Sequence, residues 1–393
     1  MTGDHELVDE SIKLALDALE EGRPNDAISI LEPLVDEASD NEADILMYLG
    51  IAYVQSEQPQ KAVEVLERAD DLVEEHCILS MFLGRAYRAL SRFDDAENEL
   101  NRSISLDPET PEPYADLGWI LFKKGEYART VKTLASACET FPEDLDIRAI
   151  YALSLYRLGD FTAAAEQWAQ MHRQEPEFMS AVSNYAFLML TLGRSYEAAP
   201  FVGRANMLAP DDYRSLILLG ELRFQSGEHE GARECFQKVL EQDPDNVEAL
   251  SRLAILYNHL LDRATCDAYL ERAESLVGSA PESWRGLCYA LSMIGRNEEF
   301  VNCLIEWTRV DPKSAAPWVA LAKHYDRMGM LEYSRNAWRV SFELREYVKI
   351  LCNECGCEAR LPYDATVGFD IYAMQICQRC GETIQMPAGL AEF

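Results

Sequence analysis

The 393-residue chain has no stretch approaching about 18 uninterrupted apolar residues, so nothing in it reads as a membrane-spanning helix. Its opening, MTGDHELVDES, has neither the basic nor the apolar region of an export signal. Positive charge is scarce: 36 Lys and Arg stand against 68 Asp and Glu, a net charge of −32. Phosphate attraction dominates non-specific nucleic-acid affinity, so this balance argues against nucleic acid as the main partner. The six histidines (His5, His76, His172, His229, His259 and His324) are dispersed. There is no Gly-rich phosphate loop, and no serine or cysteine sits in a nucleophile motif, so the residues point to no enzyme. A disulfide framework is not indicated either. The eleven cysteines are an odd number, and six of them (Cys77, Cys138, Cys235, Cys266, Cys288 and Cys303) are scattered singly, as small buried hydrophobes would be. This favours a reducing compartment, and with it a cytoplasmic location.

What the chain does have is a beat. Pro108, Pro142, Pro176, Pro210 and Pro244 are each 34 residues apart, and Pro312 falls two beats later with Gly278 at the skipped position. Proline lacks a donor N–H and pushes the residue before it out of the helical region, so each of these marks a helix end. Counting units from 77, 111, 145, 179 and 213, the eighth position reads Gly84, Gly118, Ala152, Ala186 and Gly220. The twentieth reads Ala96, Thr130, Ala164, Ala198 and Ala232, and the twenty-fourth is bulky: Leu100, Leu134, Trp168, Val202 and Phe236. Small residues allow two helices of a hairpin to approach, and the bulky one fills the space they leave.

This pattern resembles the tetratricopeptide repeat family, with single units matching well at Trp318, Leu321, Ala322 and Tyr325, and at Leu49, Gly50, Tyr53, Ala62 and Leu66. The resemblance implies an all-α, right-handed superhelix of about ten hairpins over residues 8–348, after a short N-terminal tail at 1–7. The unit 247–280 departs from its neighbours, with Leu261 for the turn glycine, Cys266 at a small position and Gly278 for the proline, and it is expected to be a slightly irregular hairpin.

After the repeats comes a different composition. Two Cys-x-x-Cys-Gly knuckles, Cys352/Cys355 and Cys377/Cys380, are separated by 21 residues containing β-favouring Val367, Phe369, Ile371 and Tyr372. Residues 349–386 thus resemble a small β zinc ribbon, followed by a tail at 387–393. Tetrahedral sulfur suits Zn²⁺ in a closed structural site; iron in a rubredoxin-like site and a thiol redox pair are the alternatives. Cys357 is an extra thiol, read as a spare.

In the tetratricopeptide family the second, fifth, ninth, twelfth and thirteenth positions of each unit face the concave side. Carried onto this chain, they give a groove of Arg85, Arg88, Trp119, Phe122, Lys123, Tyr156, Arg157, Phe187, Phe224, Ile255, Asn258 and Tyr289. Arginine and aromatic residues are enriched at binding hot spots, so a protein or peptide with apolar anchors and some acidic character is the expected partner. The competing reading has Trp119, Phe122 and Phe224 packing against the neighbouring hairpin. No asparagine occupies a ninth position, which argues against the family's mode of clamping chaperone tails. The expected function is a non-enzymatic scaffold or adaptor; the competing class is a metal-thiol redox or metal-sensing protein acting through the tail. The order of repeats and Cys₄ ribbon also resembles the bacterial lipopolysaccharide assembly protein B type, adaptors that deliver a client to a protease. That type has a membrane anchor, which this sequence does not display, and a more compact knuckle pair.

Overall fold

The computed structural model describes residues 2–35, 41–73, 75–278, 280–351 and 358–363. Among them are helices α1 (Thr2–Glu20), α2 (Pro24–Leu31), α3 (Glu42–Gln55), α4 (Pro59–Asp70), α5 (Cys77–Ala89), α6 (Phe93–Leu106), α7 (Glu112–Lys123), α8 (Tyr127–Thr140), α9 (Leu145–Arg157) and α10 (Phe161–Gln174). The series continues with α11 (Met179–Thr191), α12 (Ser195–Leu208), α13 (Tyr213–Gln225), α14 (His229–Gln242), α15 (Val247–His259), α16 (Arg263–Leu276), α17 (Pro281–Ile294), α18 (Asn297–Val310), α19 (Ala316–Arg327) and α20 (Leu331–Arg345). They pair into ten hairpins. Two strands follow, β1 (Tyr347–Leu351) and β2 (Glu358–Pro362), antiparallel with Tyr347 opposite Pro362 and Leu351 opposite Glu358.

The beat prolines stand just past the end of a second helix, and the residue before five of them has left the helical region: Asp107 at φ −141°, Glu175 at −131°, Ala209 at −145°, Asp243 at −135° and Asp311 at −127°. This is the steric bias that proline imposes on its predecessor. Inside every hairpin the turn takes one left-handed residue. Glycine supplies it in seven hairpins, while Glu57, Ser91 and Leu261 adopt it at φ 60°, 59° and 62°. The unit 247–280 shows the expected irregularity in its packing, with α17 lying mainly against α15 rather than against α16, its neighbour in the chain. Its helices α15 and α16 have 13 and 14 residues, the same lengths as α13 and α14.

The small and bulky positions meet as their spacing predicts. A Cβ placed on Gly84 would lie 2.8 Å from Leu100, one on Gly118 2.6 Å from Leu134, and one on Gly220 2.5 Å from the Phe236 ring. Any side chain there would force the hairpin apart.

Two boundaries differ from expectation. Residues 2–7, expected as a tail, belong to α1, and β1 begins at Tyr347, two residues before the expected start of the ribbon. A third difference concerns cysteine. Cys288 of α17 and Cys303 of α18 face each other across their hairpin and form a disulfide, with Cα atoms 5.7 Å apart. Fifteen residues separate them, so the hairpin itself brings them together, which reading them as single thiols overlooked. Cys138, Cys235 and Cys266 are buried free thiols, and burial pushes Cys138 up to about 11.

By contact density the chain forms two compact units, an N-terminal one of Met1–Lys124 and Lys132–Ile150 and a C-terminal one of Gly125–Val131 and Tyr151–Phe393. The core of the first runs without a break from Ala15 through Leu46, Leu66 and Leu100 to Leu121. In the second, one cluster surrounds Phe236 and another extends from Val247 to Ala337. No described helix is long and apolar enough to cross a membrane.

Candidate functional site

In the N-terminal unit the groove positions of α5 and α7 come together. Asp116, buried on α7, receives Arg85 Nε at 2.5 Å and also the Arg88 guanidinium. One turn further along α7, the Trp119 ring carries two cations: Arg88 at 5.2 Å from its centroid and Lys123 Nζ at 5.3 Å. Phe93 meets the same ring edge-on at 6.3 Å, and Arg85 also lies 5.1 Å from the Phe82 ring. Two cations therefore lie on the Trp119 ring, and a third, Arg85, shares the Asp116 carboxylate with one of them. The side chains remain reachable, Arg88 at 33% and Arg85 at 24% exposure, and Lys123 is exposed. Cation–π contacts hold the long side chains in place while leaving guanidinium N–H groups available. Phe122 lies half-buried on α7. Asp116 was not among the sequence candidates, since it occupies the sixth position of its unit, between the counted ones. An acidic residue one turn before an inward tryptophan was the available signal.

In the C-terminal unit the corresponding positions are engaged by other hairpins of the same unit. Arg157, at the end of α9, donates to Asp311 at 2.9 Å, and the Tyr127 hydroxyl lies 3.3 Å from both oxygens of that carboxylate. Tyr156 packs on Phe161 and Trp168, and the Arg285 guanidinium of α17 lies over Phe187 at 4.4 Å and nearer the edge of reach over Tyr156 at 5.9 Å. Tyr289 donates to Glu221 at 3.2 Å and stacks under Arg252, whose buried guanidinium pairs with Glu221 at 3.1 Å. Burial, then the Glu221 charge, pushes the Tyr289 hydroxyl up to about 12. Phe224 contacts the rings of His229 and His259, Ile255 is core, and Asn258 is half-buried on α15.

These pairings follow from how the unit closes. The turn between α9 and α10 reaches the loop before α19 and the end of α20: Ser314 Oγ donates to the Arg157 carbonyl at 2.9 Å, Arg345 Nε donates to the Leu158 carbonyl, and the Tyr347 hydroxyl donates to Asp160 at 3.1 Å. Gly159 has no room for a side chain, since a Cβ would sit 2.7 Å from the Arg345 guanidinium and 3.3 Å from Val319.

The thiols of the metal call, Cys352, Cys355, Cys377 and Cys380, lie outside the described residues, as does Cys357. The strands β1 and β2 bracket the segment 352–357, with Leu351 paired to Glu358 at its base. The base is fixed to the last hairpin by the Tyr363 amide, which donates to the Glu346 carbonyl at 2.9 Å, and by the Tyr363 ring 6.0 Å from Phe342. Among the described residues, no three His, Cys, Asp or Glu side chains cluster as a metal site.

Family models described as tetratricopeptide repeat or TPR repeat match residues 18–75, 83–144, 116–180 and 220–259. Similar curated proteins include the human protein O-mannosyl-transferase TMTC3, 26% identical over 53% of this chain and 23% of its own length. The BBSome complex member BBS4 of Bos taurus is 22% identical over 58% of this chain and 44% of its own length. The chain thus spans less than half of either relative. Among solved structures, the C-terminal part of a TPR repeat-containing protein from Cytophaga hutchinsonii covers 62% of this chain and 99% of its own at 13% identity, with a TM-score of 0.50, a likeness of fold alone. With repeat models matched over 18–75, 83–180 and 220–259 within a described run of ten helical hairpins, the chain carries tetratricopeptide repeats.

Proposed function

We propose that the chain is a non-enzymatic adaptor that captures an acidic, apolar-anchored segment of a partner protein on the inner face of its N-terminal unit. Tetratricopeptide repeats generally serve as protein-interaction scaffolds, which sets the class of activity. The observation that carries the reading is the pair Arg88 and Lys123 on the Trp119 ring, with Arg85 and Arg88 sharing the single carboxylate of Asp116, in a chain of net charge −32. A locally cationic, aromatic face on an acidic protein selects carboxylates by Coulomb attraction, and the surrounding negative charge repels other acidic surfaces.

Cys352, Cys355, Cys377 and Cys380 would hold one Zn²⁺ as a structural staple in a tail with little core of its own. The paired strands that bracket the first knuckle support this reading. A cytoplasmic setting accords with the free helical thiols Cys77, Cys138, Cys235 and Cys266, and in it the Cys288–Cys303 pair would stand reduced.

The test uses fluorescent 12-residue peptides in which Glu alternates with Leu or Phe, and counterparts with Lys for Glu. Salt-sensitive binding of the acidic set, lost in the Arg88→Glu/Lys123→Glu double variant with helicity unchanged, is the expected result. Equal binding of the lysine set, or undiminished binding by the variant, overturns the site.

A further inference from the structure

We infer that the closure of the C-terminal unit is a latch, an autoinhibitory contact that holds the inner face of that unit shut. In a solenoid each repeat contacts its neighbours, and stacking alone demands nothing more. Here the α9–α10 turn meets residues 154 to 187 positions later in the sequence, at Asp311, Ser314, Arg345 and Tyr347. The contact is polar and local: Arg157 and Tyr127 on Asp311, Ser314 on the Arg157 carbonyl, Arg345 on the Leu158 carbonyl, and Tyr347 on Asp160.

Further along the same inner face lies a continuous set of groups that hairpin stacking does not require. Arg285 covers Phe187 from three hairpins away, and Tyr289 closes on Glu221 two hairpins back, over Arg252 of the hairpin between them. Arg252 is 4% exposed and its Nε has no hydrogen-bond partner. A buried donor without a partner disfavours the closed arrangement, because opening would return it to water. The closed state therefore needs something to hold it, and the turn contact is placed to do so. Once released, the unit presents arginine, tyrosine and phenylalanine along a face that is otherwise filled.

The glycines supply a controlled test. Gly159 and Gly193 both sit at positive φ, +73° and +71°, so alanine strains the backbone equally at each. Only at Gly159 would the added methyl strike the latch, since nothing lies within 4 Å of the same position on Gly193. Hydrogen exchange read by mass spectrometry on the intact chain compares Gly159→Ala, Gly193→Ala and, as a variant without backbone strain, Asp311→Asn, with circular dichroism reporting folding. The latch predicts roughly tenfold faster exchange in Gly159→Ala and Asp311→Asn at the α9–α10 turn, the loop before α19, and α13, α15 and α17, with helicity kept. Gly193→Ala should leave those segments unchanged. Equal behaviour of the two glycine variants, an unaltered Asp311→Asn protein, or faster exchange restricted to the α9–α10 turn would each overturn the proposal.

Discussion

In the N-terminal unit Arg85 and Arg88 share one buried carboxylate of the next hairpin, Asp116, whereas in the C-terminal unit Arg157 meets Asp311, 154 residues on, and Tyr289 meets Glu221, 68 residues back. Both units are built from the same 34-residue hairpin, with the same glycine or alanine against the same bulky side chain. The difference lies in which groups face inward and whether a distant hairpin reaches them. One face keeps positive charge within reach of solvent around Trp119, and the other uses its charge to hold itself together. Repeat identity therefore fixes the scaffold and leaves the role of each inner face to a few side chains.

The comparison is broken most severely by removing one cation from each unit. Arg157→Ala removes the cationic partner of the mostly buried Asp311, leaving the neutral Tyr127 hydroxyl among its donors, and should lower stability by about 2–3 kcal/mol. Arg85→Ala leaves Arg88 on Asp116 and should cost less than about 1 kcal/mol. Denaturant melts of the two variants check this; equal losses would mean that the inner faces do not differ as described.

Filling the close approaches tests what the units have in common. Gly118→Ala and Gly220→Ala each drive a methyl into Leu134 or Phe236, and overpacking of this kind costs about 1–3 kcal/mol. Similar losses in both are expected, and a loss at one site alone would separate the packing of the two units.

A smaller effect comes from Tyr289. Its folded value is raised from 10.0 to about 12, first by burial and then by Glu221. A raised folded value contributes stability that is fully present below pH 10 and is lost as pH climbs through 12. Absorbance titration should show a group of late-titrating tyrosines that loses one member in Tyr289→Phe, together with a shallower alkaline loss of stability. Tyr53 and Tyr87 of the N-terminal unit are also shifted upward, by burial and by Glu32 and Glu67, so the wild-type alkaline transition should involve both units. The smallest effect is expected at the α13 N-cap, where Asp212 accepts from Arg214 and Ser215 amides at 3.0 and 3.1 Å. Asp212→Ala should cost about 1 kcal/mol in the C-terminal unit and leave acidic-peptide binding unchanged.

Much of the scaffold was legible in the chain because its causes are local. Prolines of the beat push the residue before them out of the helix, as at Asp107, Glu175 and Asp243, and Gly84, Gly118 and Gly220 meet the bulky residue sixteen positions later in their own hairpin. The irregular unit was legible from its missing glycine and proline: Leu261 takes the left-handed turn itself, and the next helix, α17, packs mainly on α15 rather than on α16. The groove was legible only where it is local too. Arg88, Trp119 and Lys123 come from adjacent hairpins and were brought together by counting. Arg157, Phe187 and Tyr289 were assigned to the same groove by the same count, yet their partners Asp311, Arg285 and Glu221 stand 154, 98 and 68 residues away, and a per-repeat register carries no information about closure at that range. Asp116 was missed because it sits between counted positions, and the Cys288–Cys303 pair because cysteines were weighed singly rather than across a turn.

The most direct measurement is a hydrogen-exchange footprint of the intact chain with a bound acidic Glu/Leu peptide. Slower exchange concentrated on α5 and α7, with α9, α11, α13 and α17 unaffected, is the predicted result. Protection confined to those four helices while α5 and α7 stay unchanged would contradict the assignment of the open binding face to the N-terminal unit.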